Sequence, residues 1–91
     1  MQRLSEIYWQ LVQEEGPIEL EVFLEQVSQG RHGTFTPQEI ADFIDEMHQT
    51  MLANIQLKAT EAPEYEAMRA EIEERTHEQI RRLKAKYAGS S

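Results

Sequence analysis

The sequence predicts an all-α fold: a small helical bundle of three short helices plus a long charged C-terminal helix. Three observations predict it. Apolar residues recur at helical spacing in every segment, and proline and glycine fall at the breaks between segments. The last third of the chain carries its charges in an order that suits one continuous helix. The expected spans are 4–15, 19–29, 37–58 and 63–87. Residues 1–60 form a compact acidic base and residues 61–91 a long amphipathic helix of the same domain.

The first helix rests on Leu4, Ile7, Tyr8, Leu11 and Val12, which share one face, and Gly16-Pro17 stops it. The second rests on Leu20, Phe23, Leu24 and Val27. Ile18 to Val22 also alternates as a strand would, but Glu, Leu and Gln favour helix and no partner strand is visible. Gly30-Arg31-His32-Gly33 reads as a loop, with His32 and Arg31 either forming an anion-binding tip or simply facing solvent. Next comes the strongest local signal. Thr36 stands at a helix N-cap, Pro37 at the first helical position and Glu39 at the third, which is a capping box; Phe35 and Ile40 occupy the positions of a hydrophobic staple. The third helix then carries Ile40, Phe43, Ile44, Met47, Met51, Leu52 and Ile55 on a broad face, and a short break is expected over residues 60–63.

The fourth helix has a narrower stripe. Tyr65, Met68, Ile72, Thr76, Ile80, Leu83 and Tyr87 step by three or four residues, averaging about 3.67, the period of a straight or slightly right-handed coiled coil. Glu71 with Arg75 and Glu78 with Arg82 are i,i+4 pairs in the favourable order. Glutamates crowd the start and Arg81, Arg82, Lys84 and Lys86 the end, as the helix dipole favours.

Composition narrows the function. The formal charge is −8, and residues 1–60 hold ten carboxylates against Arg3, Arg31 and Lys58. That balance repels phosphate backbones and anionic membranes, so neither direct nucleic-acid binding nor a membrane role is expected. The chain has no cysteine, which removes disulfides, thiolate catalysis and cysteine-based zinc sites, and fits a cytoplasmic location. Charge interrupts Met1 to Glu6 too early for a signal peptide, and no apolar run is long enough to span a bilayer. No glycine pattern cradles phosphate, no serine stands in a nucleophile elbow, and four short helices rarely enclose a catalytic pocket. Neither enzymatic activity nor a cofactor is expected.

One metal arrangement has geometric content. An antiparallel hairpin turning near residue 61 sets Asp45-x-x-His48 opposite Glu74-x-x-His77, as in di-metal helical bundles. The helical wheel opposes it: Glu74 points away from the apolar stripe, His77 lies toward its flank, and two further inward glutamates are lacking. No metal ligands are assigned, and a di-metal bundle remains only an alternative.

The order helix, Gly-Pro break, helix, loop, helix, with Ile7 to Ile18 at its opening, resembles the start of a winged-helix domain over residues 4–55. No diagnostic motif accompanies the resemblance. Its recognition helix would begin at Pro37 and present Glu39, Asp42, Asp45 and Glu46, with no cation before Lys58, so it implies no DNA reading.

The expected function is recognition of another protein by a small cytoplasmic adaptor, regulator or helical chaperone, with self-association through the last helix as one form. The expected apolar contacts are Trp9, Tyr65, Met68, Ile72, Ile80 and Leu83, steered by Asp42, Asp45 and Glu46. Trp9 and Val22 lie off their helices' main faces and together suggest a second apolar surface. An alternative from another class is inhibition by nucleic-acid mimicry, in which the carboxylates of residues 14–46 fill the basic channel of a DNA- or RNA-binding enzyme.

Overall fold

The computed structural model describes residues 3–89, and they form four helices: α1 (Leu4–Glu15), α2 (Leu20–Ser28), α3 (Pro37–Glu61) and α4 (Pro63–Tyr87). There is no strand among the described residues, so the wing that the winged-helix resemblance implies is missing. The alternation at Ile18 to Val22 resolves as the start of α2, with Leu20, Phe23, Leu24 and Val27 buried and Val22 left outside.

Local chemistry explains most of the helix ends. Gly16 closes α1 at φ 93°, a backbone state costly for residues with a Cβ, and its N–H donates to the Val12 carbonyl at 2.9 Å. At the start of α3 the Thr36 hydroxyl accepts from the Glu39 N–H at 3.1 Å. The Glu39 carboxylate in turn accepts from the Thr36 N–H at 3.0 Å. This reciprocal cap fixes two otherwise unsatisfied donors, and such caps are worth about 1 kcal/mol.

The end of α3 differs from the expected break. Thr60 does not interrupt the helix; its hydroxyl donates back to the Gln56 and Leu57 carbonyls, both at 2.8 Å. The helix therefore runs to Glu61, and Ala62 alone joins it to α4. Ala62 is extended at φ −133°, ψ 111°, the conformation proline imposes on the residue before it, and Pro63 opens α4 at a position where no N–H is needed.

The core draws on all four helices. Tyr8 and Phe23 meet edge to face with ring centroids 5.1 Å apart, and Phe43 lies 5.4 Å from Phe23. Around these rings Leu4, Leu24, Ile44, Met47, Ile80 and Leu83 complete a continuous cluster. The Tyr8 hydroxyl donates to the Ile18 carbonyl at 2.9 Å, tying α1 to the approach of α2, and burial raises its pKa. His32 is no projecting tip: its ring stacks on Phe23 and its Nε2 lies 3.0 Å from the Gln26 side-chain oxygen.

The hairpin of α3 and α4 is longer than the base it passes through. Members of the core cluster lie between Ile40 and Met47 on α3 and from Ile80 onward on α4, with Met51 packed at the edge. Beyond them the two helices continue as a two-helix arm about 15 Å long, at 1.5 Å per residue. Within it Ile55 and Ala59 are buried, and Tyr65, Ile72 and Thr76 are half-buried.

Candidate protein-binding surface

The arm exposes apolar side chains that no other element covers. Met68 is 53% exposed and Leu57 59%. Met68 belongs to the expected seam, but α4 is turned so that Arg69, Ile72 and Glu73 are half-buried instead, leaving Met68 on the flank. The long aliphatic stem of arginine tolerates such a position while its head, 3.3 Å from Glu66, stays in water. Leu57 lies two residues from buried Ile55, about 200° around the helix, and so faces outward. Its sequence signal was available: a leucine off the main stripe of α3.

Ile80 and Leu83 are not surface contacts. At 3% and 2% exposure they lie in the core, because the base covers that half of the α4 stripe. Tyr65 and Ile72 remain half-buried along the arm, and the Lys58 ammonium lies 5.9 Å from the Tyr65 ring centroid.

Trp9 sits on α1 beside the middle of α3. It is 44% exposed, and its ring meets buried Tyr8 edge to face at 5.1 Å. It forms one wall of a groove of about 440 Å³ between α1 and α3, with Glu6, Glu46, Met47, Gln49 and Thr50 among the lining residues. Val22 does not share this surface; it lines a separate groove with Glu21, Glu25, Lys86 and Tyr87.

The three carboxylates expected to steer association have partners within the chain. Asp42 accepts from the Gln38 side chain at 2.9 Å, Asp45 from Lys84 at 3.0 Å, and Glu46 pairs with Arg3. Glu25 accepts from the Tyr87 hydroxyl at 2.8 Å, and Glu21 lies 3.6 Å from Lys86. All these pairs are at the surface, where such contacts add little stability and exchange readily with solvent or a partner.

The expected hairpin register brings His48 and His77 together, with His48 Nε2 2.8 Å from His77 Nδ1 and the rings edge to face. It does not assemble a di-metal site: Asp45 turns to Lys84, Glu74 is exposed, and no three His, Asp or Glu side chains among the described residues converge to hold an ion. The imidazole pair should instead make hairpin stability depend on pH. Burial and the neighbouring His77 lower the pKa of His48 from its ordinary 6.5, with Asp45 opposing and Lys84 adding to the shift. Its favourable contribution is present above 6.5 and is lost as the pH falls through the lowered folded-state value. Urea denaturation followed as the pH falls from about 7.5 should show this loss as a small decrease in stability, because the pair lies at the surface and is screened by solvent. His48→Ala should remove that part of the pH dependence; an unchanged profile would exclude the pair as its source.

Among the described residues no helix is long and apolar enough to cross a membrane. Fold and surface together define a small all-α bundle with a projecting two-helix arm. No protein-family model matches the chain, and comparisons with curated proteins and with solved structures gave no match.

Proposed function

We propose that the chain is a small protein-binding module, an adaptor, regulator or helical chaperone, whose apolar contact surface is the arm of α3 and α4. The observation that carries this reading is the exposure of Leu57 and Met68 on a segment with no covering element, beside half-buried Tyr65 and Ile72. Apolar residues on a projecting helical pair gain most by packing against another helix. Trp9 supplies a second contact, and the acidic face of α1 and α3 steers the approach of a basic partner. Arg3, Lys84 and Lys86 stand beside Glu46, Asp45 and Glu21 and interrupt the run of negative charge that nucleic-acid mimicry needs, which favours apolar recognition. The lack of cysteine supports a reducing compartment, the cytoplasm, as its location.

The test combines capture on the immobilised full chain with solution mass measured by light scattering, which detects self-association. The native chain should retain its partner at about 0.5 M salt, where exposed charge pairs are screened. The double variant Leu57→Glu, Met68→Glu should lose the partner, or dissociate to a monomer, with helicity unchanged. Equal retention by the variant would remove the arm from the binding surface.

A further inference from the structure

We propose that the groove between α1 and α3 receives an arginine side chain from a basic segment of the partner protein. The proposal rests on the protein-binding reading above and gives that partner a chemistry. Three features converge in the groove. Trp9 presents an exposed indole in edge-to-face contact with Tyr8, itself buried and tethered through its hydroxyl to the Ile18 carbonyl. Met47 adds apolar surface, and Glu6 and Glu46 place carboxylates at the edges, with no cation among the lining residues. A flat aromatic surface beside a carboxylate suits a guanidinium, which stacks on the ring while its N–H fork meets the oxygens.

One guanidinium–carboxylate contact already uses a lining residue of the groove. The Arg3 guanidinium pairs with Glu46, and both side chains are well exposed, so the bond can be exchanged for one to an incoming arginine. The surroundings select the same sign of charge. Residues 1–60 hold ten carboxylates against three cations, which repels anionic segments and draws basic ones. Lysine fits less well, because its ammonium is a compact, strongly hydrated point charge without a face to stack.

Trp9 is the only tryptophan in the chain, so its fluorescence reports on this groove. The probes are short peptides of alternating arginine and alanine, with lysine–alanine and glutamate–alanine counterparts, titrated into the full chain at low salt. The arginine peptide should change the Trp9 emission saturably and bind at least about threefold more tightly than the lysine peptide, and the glutamate peptide should have no effect. Glu46→Gln should weaken arginine-peptide binding about threefold to tenfold, and Arg3→Gln should strengthen it, because it frees the same carboxylate. Glu78→Gln makes an equal change in charge outside the groove and should alter binding by less than about twofold. Equal losses in Glu46→Gln and Glu78→Gln would reduce the effect to diffuse charge attraction and overturn the proposal, as would an unresponsive Trp9. An unresponsive Trp9 with capture through the arm intact would remove this inference alone. A specific Trp9 response with equal capture by the Leu57→Glu, Met68→Glu variant would instead remove the arm from the proposed function.

Discussion

Replacing Phe23 with alanine should cost about 3–5 kcal/mol, the usual loss when a buried aromatic ring is removed and its cavity only partly collapses. Phe23 is fully buried, and the rings of Tyr8, Phe43 and His32 all lie within 5.4 Å of its own, centroid to centroid. Removing it takes the shared neighbour from between α1, α3 and the loop that follows α2. A chain of this length has about 5–14 kcal/mol of stability in total, at 0.05–0.15 kcal/mol per residue, so the substitution should remove between about a fifth and all of it and move the unfolding midpoint to a markedly lower urea concentration. Urea denaturation followed by far-ultraviolet circular dichroism and by Trp9 fluorescence measures the loss. A cost below about 1 kcal/mol would mean that the aromatic cluster is not the centre of the fold.

The second large effect separates base from arm. Leu83→Ala should cost about 2–5 kcal/mol, whereas Met68→Ala, on the same helix and of comparable size, should cost less than about 0.5 kcal/mol. Leu83 is 2% exposed among core residues from the other helices, and Met68 is 53% exposed on the arm. The contrast matters because both residues belong to one periodic stripe in the sequence. If the two substitutions destabilised a monomer equally, the arm would be packed within the chain and would have no free apolar surface to offer. Met68→Ala should act on association instead, through the same surface that the glutamate variants test.

Much of this architecture is legible from the residues because its signals are local. The Thr36–Glu39 cap, the Gly16 stop and the proline starts at Pro37 and Pro63 depend on neighbours within a few positions, and each appears where the chemistry requires it. The length of α3 was less legible. A threonine near a proline suggests a break, yet Thr60 satisfies its hydroxyl within the helix and leaves the whole reversal to Ala62.

The surface was harder to read, since a stripe reveals that a face is apolar but not what lies against it. Ile80 and Leu83 look like Tyr65 and Ile72 in the sequence, and only the placement of α1 and α2 over one half of the hairpin separates core from arm. The engagement of Asp45 and Glu46 was equally hidden, because their partners, Lys84 and Arg3, stand 39 and 43 positions away along the chain. Trp9 could be found as an aromatic off its helix's main face. Leu57 could have been found by the same criterion.

The single-residue joint at Ala62 also limits how two molecules can combine. If Ala62 became helical, α3 and α4 would fuse into one rod about 76 Å long at 1.5 Å per residue, and two such rods could exchange halves, each completing the other's base. Pro63 opposes that straightening twice: its ring disfavours helical geometry at Ala62, and it has no N–H to extend the ladder across the joint. Folding back is thus built into the backbone, and copies that associate should do so as finished hairpins laid side by side, without strand-like trading of segments.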